Sequence, residues 1–297
     1  MPKIDRPQKN AFSLTIDLEF WWCSEFLKNT TYQDKGDIIQ EATHMVLDLL
    51  RKYEAAATFF ILGEVAERYP QIIAKIHQEG HEIANHGYKH HNVFEMTPQE
   101  FEWNIQRSGE ILKSITGLSP KGYRAPNFSF TRKTGWAYDI LRNLDYKYSS
   151  SLFPFKTKLY GIPEAPLSPY HPSKIDFLKK DDEEKFIEFP GTVIKIFSKN
   201  VPISGGFYFR ILPVSWLAGG LNRVLAQRPA MFYLHLRDLY KDIPRVKMPP
   251  LAYFFHYYGI KKALRKFEAL LQKFTFDTME STLGLNKTSN LPSDSAT

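Results

Sequence analysis

Two short polar segments in the first third of the chain contain residue types and spacings that could carry out chemistry. Asp17 and Glu19 stand two positions apart, so both carboxylates point to the same side of an extended chain. His86 and His90 stand four positions apart, which brings two imidazoles to one face of a helical turn and suits the binding of one cation. Each pair taken alone also fits a plain interpretation, either a solvated strand end or a chance spacing.

Two further segments supply a fixed positive charge and a third imidazole. Arg124 stands at the end of a predicted strand and precedes a rigid Ala-Pro turn, a placement that suits a bidentate hold on a carboxylate but also fits a structural ion pair. His235 directly follows the apolar run 232–234, where a lone histidine is either a proton donor or a buried structural group.

Taken as one site, these residues predict metal-assisted hydrolysis of an amide. Asp17 would take a proton from the attacking water, and Arg124 would keep Asp17 ionised and oriented. His235 would give a proton to the departing amine. The expected ligands of the cation, which leave positions open for water and substrate, are Glu19, His86 and His90.

The elements that must position these groups alternate along the sequence between strands and helices, which predicts an α/β protein with a parallel sheet. Chemistry in such folds gathers at the carboxyl ends of the strands. Thr97 and Glu100 form a capping-box pattern around Pro98, and Gly117 ends that helix. Strands are expected at 11–18, 55–62, 81–84, 121–124, 146–150, 185–189 and 230–235, and helices at 37–51, 71–78, 97–116, 133–144 and 260–274. A Pro-rich segment, 151–182, is expected to be a long ordered excursion.

The composition restricts the class of protein. The chain has 297 residues, 43% of them hydrophobic and 24% charged, which is typical of a globular protein. No apolar run approaches the roughly 18 residues that a membrane-spanning helix needs. The polar start at 1–7 predicts no secretory signal, and the single cysteine, Cys23, excludes an internal disulfide and is interpreted as a buried small apolar residue. These features favour a cytoplasmic protein.

The formal net charge of +7 fits either an anionic partner or a merely basic surface. The sequence contains no zinc-finger, RNA-stacking or helix-turn-helix motif, so no nucleic-acid partner is expected. A peripheral association with an anionic membrane is one interpretation of four basic residues on a predicted helix, although a solvated helix face is the simpler one. These residues are Lys261, Lys262, Arg265 and Lys266.

The order of these motifs resembles the NodB-type polysaccharide deacetylases, carbohydrate esterase family 4, in the branch found in bacterial exopolysaccharide gene clusters. The resemblance covers about residues 11–283, of which about 155–283 are specific to the branch. A polar arm at 1–10 and a disordered tail at 284–297 lie outside it. The matching segments are 57–63, 80–88, 122–126, 150–154, 188–190, 205–210 and 256–259.

The resemblance implies a distorted, incomplete (β/α) barrel with a cleft at the carboxyl ends of its strands. It implies removal of an N-acetyl group from an amino sugar in cell-surface polysaccharide or glycolipid biosynthesis, with a divalent metal, Zn²⁺, as cofactor. It assigns the same roles to the six residues above and adds the backbone N–H of Asn127 as an oxyanion donor. The expected partner is an N-acetylated sugar chain or a lipid-linked sugar, and the expected location is the cytoplasm or the inner membrane face.

Three departures from the family pattern affect the site. Leu18 separates the two acids that are adjacent in many relatives, and Ser149 stands where relatives commonly have Asp. The usual Pro-Trp-Glu after the last motif is replaced by Leu236-Arg237-Asp238, in which Asp238 is expected to orient the preceding histidine. These changes favour an unusual substrate or, less often, an impaired enzyme.

Trp21 and Trp22, directly after the first motif, are expected either to stack on a sugar ring or to pack in the core. Two alternative functions remain open. One is amide hydrolysis of a small molecule or a formyl sugar by the same chemistry, and the other is a non-catalytic carbohydrate-binding protein on the same fold.

Overall fold

The computed structural model describes residues 11–28, 36–157 and 161–286. The strands in these ranges are β1 (Phe12–Leu18), β2 (Thr58–Ile61), β3 (Glu82–Asn85), β4 (Gly122–Tyr123), β5 (Tyr148–Ser149), β6 (Ile187–Glu188), β7 (Val193–Ile196), β8 (Lys199–Pro202) and β9 (Ala230–His235). The helices are α1 (Ile39–Lys52), α2 (Gly63–Arg68), α3 (Pro70–Gln78), α4 (Pro98–Thr116), α5 (Trp136–Asn143), α6 (Gly206–Ile211), α7 (Val214–Leu225), α8 (Leu236–Leu239), α9 (Pro250–Tyr257), α10 (Ile260–Leu271) and α11 (Met279–Thr282). Short 3-10 turns lie at Trp21–Cys23, Glu25–Leu27, Val93–Glu95 and Pro126–Phe128.

Seven strands form one parallel sheet in the order β6-β5-β4-β3-β2-β1-β9. The predicted α/β class with a parallel sheet is confirmed, and the elements alternate as expected in the first half of the chain. β7 and β8 form a separate antiparallel hairpin. None of the described helices is long and apolar enough to cross a lipid bilayer.

β1 lies inside the sheet and is buried along its whole length because both of its faces are covered. Its sequence alternates, and the apolar residues Phe12, Leu14, Ile16 and Leu18 pack in the main hydrophobic core. The polar residues between them point to the opposite face, where Thr15 and Asp17 accept hydrogen bonds inside the sheet's concave side. The alternation of β1 therefore brings a carboxylate into the interior at the end of the strand.

The open side of the sheet lies between the edge strands β6 and β9, and the segment that follows β6 covers it. The N–H of Met231 donates to Thr192 Oγ1 at 2.8 Å, and the N–H of Tyr233 donates to Ser204 Oγ at 3.0 Å. The hydroxyl oxygens thus accept hydrogen bonds from backbone N–H groups of β9 that would pair with a neighbouring strand if the sheet continued.

α4 begins and ends as its sequence predicts. Thr97 and Glu100 form the complete capping box, Pro98 is the first helical residue, and Gly117 ends the helix with φ +77°. From the middle of α4, the side-chain oxygen of Asn104 accepts a hydrogen bond at 2.7 Å from the N–H of Tyr88. The helix therefore anchors the loop that follows β3.

The second half of the chain contains elements that the sequence patterns did not predict, namely the β7–β8 hairpin and α6, α7, α8, α9 and α11. α6 and α7 contain or adjoin paired glycines, which weaken a helical pattern. Lys266 was predicted to lie on an exposed basic face, and this is wrong. Its ammonium group donates to the carbonyls of Phe209, Arg210 and Leu212 at 2.5–2.9 Å and so satisfies the end of α6.

The predicted chain ends lie mostly outside the described residues, since neither 1–10 nor 287–297 is described. Within the expected tail, Gly284 and Leu285 continue from α11 through backbone hydrogen bonds to Ser281 and Glu280. The Pro-rich excursion is joined to β6 by a bridge between Tyr170 and Glu188.

Glu82 is a half-buried residue at the start of β3, far along the strand from its carboxyl end. Burial of its carboxyl group raises the pKa to about 7, although three donors favour the charged form. These are the hydroxyls of Thr58 and Tyr148, at 2.5 Å and 2.6 Å, and the N–H of Glu280, at 2.9 Å. The folded protein therefore holds a proton here that the unfolded chain releases above pH 4.5.

We expect Glu82 to make folding stability depend on pH in a definite direction. Because the folded pKa lies above the unfolded one, the free energy of unfolding should fall as pH rises from 4.5 to 7 and level off above. In the wild type the decrease in the free energy of unfolding should amount to about 3 kcal/mol. Glu82→Gln has no carboxyl group to titrate at this position and should not show the decrease. Urea unfolding of both proteins at pH 5 and pH 8 measures the difference. The exposed Glu183→Gln should keep the wild-type pH dependence, and an unchanged slope in Glu82→Gln would contradict the assignment.

Candidate active site and metal centre

The predicted site residues meet at the carboxyl edge of the sheet because the strands that hold them are parallel neighbours. Asp17 lies near the end of β1 and is in register with His235, the last residue of β9. Glu19 follows β1 by one residue. His86 follows β3 and Arg124 follows β4, which are adjacent strands.

A buried carboxylate and two imidazoles form a group that could hold a metal ion. Glu19 Oε2 lies 2.7 Å from His90 Nε2 and 3.5 Å from His86 Nε2. One ligand atom from each residue lies within 4.8 Å of the others. Glu19 Oε2 is buried, and apart from the two imidazole nitrogens no polar group within the described ranges approaches it as a hydrogen-bond partner. A buried anionic oxygen beside two nitrogen ligands fits the donor set that zinc prefers.

The orientation of His86 is fixed by a backbone carbonyl. Its Nδ1 lies 2.8 Å from the carbonyl oxygen of Arg124, which can only accept a hydrogen bond. Nδ1 therefore carries a proton, and Nε2 points at Glu19. This arrangement orients an imidazole ligand in the way that metal sites require.

The two histidines lie on an irregular loop, so the prediction of a helical turn is wrong. Gly87 has φ +83°, and a Cβ there would lie 2.6 Å from Asn104 Oδ1. Asn85 Oδ1 accepts the N–H of Gly87 at 2.7 Å. A glycine-dependent bend therefore brings His86 and His90 together, with ring centroids 5.7 Å apart.

Arg124 crosses the interior of the sheet and is fully buried. Its guanidinium donates to Asp17 Oδ1 at 2.6 Å and to Thr15 Oγ1 at 2.9 Å. Ser150 accepts two further hydrogen bonds, one at its carbonyl and one at its hydroxyl. The guanidinium carbon lies 4.0 Å from the centre of the Phe60 ring. Five contacts thus hold this charge in one position against Asp17.

His235 is oriented by Asp238, one turn later in α8. His235 Nδ1 lies 3.0 Å from Asp238 Oδ2, and Arg210 Nε lies 3.1 Å from Asp238 Oδ1. Burial alone would raise the pKa of Asp238, but the hydrogen bond from His235 and the charge of Arg210 outweigh it and lower the pKa below its usual range. His235 Nε2 then faces the acids, 3.8 Å from Asp17 Oδ2 and 3.7 Å from Glu19 Oε1.

Arg237 is a site residue that the sequence patterns did not reveal. Its guanidinium forms an ion pair with Glu19 Oε1, whereas the other oxygen, Oε2, lies next to His86 and His90. Burial would raise the pKa of Glu19, but His90 and Arg237 outweigh it and hold that pKa well below its usual range. The only sequence signal was the departure at 236–238, where an arginine replaces the usual tryptophan.

Asn127 lies in the turn after Arg124 with φ +55°. Its side-chain amide donates to Glu25 Oε1 at 2.8 Å and to Asn92 Oδ1 at 2.9 Å. Its backbone N–H has no acceptor in the part of the chain that the structure describes. The turn therefore holds an unused donor beside the site, and two neighbouring loops fix its position.

Ser149 contacts neither acid of the site. Its hydroxyl donates to Ser151 Oγ at 2.7 Å, while the neighbouring Ser150 contacts Arg124. The serine whose side chain contacts Arg124 is therefore Ser150 and not Ser149.

The aromatic pair after the first motif divides between core and surface. Trp21 is buried, and its Nε1 donates to the carbonyl of Gly36 at 2.8 Å, so it cannot stack on a sugar. Trp22 is half-buried and stacks on Phe20 with ring centres 4.5 Å apart. Cys23 was expected to be buried but is half-buried at the edge of the main core.

Two protein families match consecutive parts of the chain. Residues 29–149 match the polysaccharide deacetylase family, and residues 150–284 match a family described as a domain of unknown function (DUF3473). The chain therefore contains a polysaccharide deacetylase domain. The resemblance drawn from the motifs, with its characteristic C-terminal region, is confirmed.

The similarity to individual deacetylases extends over only part of the length of each relative. A peptidoglycan-N-acetylglucosamine deacetylase from Bacillus cereus is 41% identical over 96 residues, which are 32% of this chain and 34% of that protein. The chain thus spans about a third of this relative.

Two solved structures share the fold over nearly the whole chain. A Mycobacterium smegmatis protein described as a polysaccharide deacetylase has a TM-score of 0.61 at 18% identity, covering 96% of this chain and 94% of that one. A CE4 family pseudoenzyme from Bacillus anthracis has a TM-score of 0.52 at 13% identity, covering 94% and 66%. The predicted incomplete barrel of the deacetylase fold is therefore confirmed.

Proposed function

We propose that the chain is a divalent-metal-dependent hydrolase that removes the N-acetyl group from an amino sugar. The observation that carries this proposal is the convergence of three ligand side chains with a carboxylate and a third imidazole at one edge of the sheet. The deacetylase domain, and the similarity to a peptidoglycan-N-acetylglucosamine deacetylase, support an N-acetylated sugar as substrate.

In this proposal Glu19 Oε2 and the Nε2 atoms of His86 and His90 hold the metal, which we assign as Zn²⁺. When bound, a divalent cation acidifies an attacking water and polarises the acetyl carbonyl. Glu19 Oε2 supports the assignment because it is buried and, apart from the two imidazole nitrogens, no polar group among the described residues approaches it as a hydrogen-bond partner. Three protein ligands leave room for water and substrate.

Asp17 acts as the base. Its Oδ1 is held by Arg124 at 2.6 Å, while its Oδ2 faces the site and is free to accept the proton of the attacking water. The buried guanidinium contacts this carboxylate directly and fixes its direction. Arg124 is therefore a positioning residue that acts through Asp17.

His235 acts as the acid. Because Asp238 accepts the hydrogen bond from Nδ1, the opposite nitrogen faces the place where the amine departs. Asp238 fixes the direction of the imidazole, which gives its Nε2 proton to the amine. The backbone N–H of Asn127 serves as a donor to the oxyanion that forms from the acetyl carbonyl.

We place the deacetylase unit at residues 11–283, with a branch-specific part at about 155–283. The proposed substrate is an N-acetylated sugar chain or lipid-linked sugar of cell-surface polysaccharide or glycolipid synthesis, and the proposed location is the cytoplasm, peripheral at the inner membrane face. The single cysteine of the chain supports a reducing compartment.

Acetate release by the purified protein tests the proposal directly. With Zn²⁺ supplied, we expect release from N-acetylglucosamine oligomers that exceeds release from the free monosaccharide, and loss of release after chelation. Faster turnover of the monomer would favour the small-molecule alternative. Absence of release from oligomers and from lipid-linked N-acetylated sugars would contradict the proposal.

Arg237 gives a specific reason to keep the non-catalytic function as a second candidate. Its positive charge contacts the only carboxylate among the three ligands, and a solved relative of the same fold is a pseudoenzyme. A cation at this position opposes the binding of a second cation. The same contact, however, leaves Glu19 Oε2 directed at the imidazoles, as a ligand must be.

We expect Arg237→Gln to bind Zn²⁺ about tenfold more tightly or better, since it removes a positive charge next to the ligands. Calorimetric titration of the metal-free protein measures this, with the exposed Arg223→Gln as the control that should leave the affinity unchanged. Weaker binding by Arg237→Gln would contradict the charge argument and show that the guanidinium is needed to hold Glu19.

A further inference from the structure

The charges of the chain are distributed unevenly along its length. Between residues 189 and 267 there are 13 Lys or Arg and only 2 Asp or Glu, whereas the rest of the chain carries 26 Lys or Arg and 30 Asp or Glu. Asp238 and Arg210 are buried, and Arg228, Arg237 and Lys266 are half-buried, which leaves nine exposed basic residues and one exposed acid, Asp242. The surface built by this segment is therefore strongly basic.

The β7–β8 hairpin within this segment carries an exposed apolar tip. Phe197 is 96% exposed and Ile196 is 41% exposed. Phe197 and Ser198 have φ +47° and +67°, a turn in which Asn and Gly are favoured and a bulky residue is strained. Lys195 and Lys199, both exposed, flank the tip. Neither packing against the residues that the structure describes nor turn geometry accounts for a phenylalanine at this place.

A second exposed aromatic residue, Trp216, lies on α7 beside the hairpin. Trp216 is 72% exposed and stands one turn before Gly220, where a Cβ atom would lie 3.7 Å from Ile194 of β7 and 3.3 Å from Ile203, which follows β8. Trp216 is therefore on the face of α7 that is turned to the hairpin. The exposed basic residue Arg223 lies on the same helix.

The apolar surface continues from the start of α7 toward α9. Ile211, which is 38% exposed, follows Arg210, and the guanidinium of Arg210 donates at 2.7 Å to the carbonyl of Tyr258. Tyr258 is 52% exposed, and its ring centre lies 4.7 Å from that of Phe254. Three exposed basic residues follow at the start of α10, namely Lys261, Lys262 and Arg265.

We propose that this basic and aromatic surface docks the protein on an anionic lipid bilayer, with Phe197 and Trp216 entering the headgroup region and the flanking lysines binding acidic headgroups. An apolar tip between lysines fits a bilayer, since aromatic side chains favour its interface and each lysine near an anionic surface adds attraction. A second copy of the chain is a poorer fit because two strongly basic faces repel each other. The inference deepens the peripheral location proposed above.

Co-sedimentation with lipid vesicles tests the inference and requires no turnover. The protein should bind vesicles of equal parts phosphatidylcholine and phosphatidylglycerol, and should bind phosphatidylcholine alone weakly. Lys195→Glu/Lys199→Glu and Phe197→Ser/Trp216→Ser should each lower the fraction bound to anionic vesicles about tenfold or more. Deacetylation of a short soluble oligomer should stay at the wild-type level, which separates failure of docking from failure of the proposed function.

Matched exposed residues elsewhere on the surface provide the controls. Ile175→Ser/Trp103→Ser removes two side chains that are 98% and 58% exposed, and Lys113→Glu/Lys133→Glu reverses two exposed charges. Both should bind vesicles like the wild type. Equal losses in these controls, equal binding to uncharged vesicles, or binding to an anionic polysaccharide but not to vesicles would each overturn the inference. A dimer that forms without lipid and disappears in Phe197→Ser/Trp216→Ser would assign the surface to self-association instead.

Discussion

Replacing Asp17 by asparagine should lower acetate release by about 100-fold or more while leaving the metal bound. The amide side chain keeps the size of the carboxylate and an oxygen for Arg124, which also retains its contacts with Thr15 and Ser150. What the variant loses is the ability to accept a proton. Asp17 is not among the three ligand residues, so its removal should not release the ion.

Two measurements on the same preparation separate these expectations. Initial rates of acetate release give the loss of the chemical step, and elemental analysis gives the metal content per chain. The exposed Asp242→Asn should match the wild type in both, and thermal unfolding of Asp17→Asn shows whether the fold is retained. Loss of the metal from a folded Asp17→Asn protein would show that Asp17 is a metal ligand, and would contradict the assignment of Asp17 as the base and Glu19 as the carboxylate ligand.

Replacing either ligand histidine by alanine should remove metal and activity together. In the proposed site His86 and His90 would each supply one of two nitrogen ligands, and even the loss of a residue that merely orients a ligand weakens metal binding by about 10- to 100-fold. We therefore expect His86→Ala and His90→Ala to weaken Zn²⁺ binding on the order of 100-fold or more. Titration against a chromophoric chelator measures the affinity, and acetate release measures the consequence.

His91→Ala is the matched control for these two variants. His91 is adjacent to His90 on the same loop, but it is exposed and does not belong to the group of ligand residues. It should bind metal and release acetate like the wild type. If His91→Ala lost the metal as well, the loop rather than a specific imidazole would be responsible, and if His90→Ala kept it, the ligand assignment would be wrong.

The pattern of β1 and β9 made the centre of the site predictable from the sequence. Both are buried strands with a polar residue at the end, and parallel pairing brings the ends of neighbouring strands to one edge. This rule places Asp17 and His235 at the same edge, whereas their direct pairing depends on β9 lying beside β1, a strand order that the sequence pattern does not predict. The contact of Arg124 with Asp17 is less local, because the guanidinium must cross the interior from β4.

The remaining features depend on tertiary contacts that leave no periodic pattern. The bend between His86 and His90 depends on Gly87 and on an amide from α4, so a spacing of four predicted a helical turn that does not exist. The ion pair of Arg237 with Glu19 depends on α8, a single turn whose start is fixed by the contact between His235 and Asp238. Helices and a hairpin in the second half were missed because their glycines and short lengths obscure the pattern.

The position of the metal ion is the most direct test of the account. Crystals grown with Zn²⁺ and measured at the zinc absorption edge should show one strong anomalous peak about 2.0–2.2 Å from Glu19 Oε2 and from the Nε2 atoms of His86 and His90. Arg237 should still contact the other oxygen of Glu19 or have turned toward solvent. No peak among these three atoms at saturating Zn²⁺, or a peak bound by other residues, would contradict the proposed metal centre and the chemistry assigned to it.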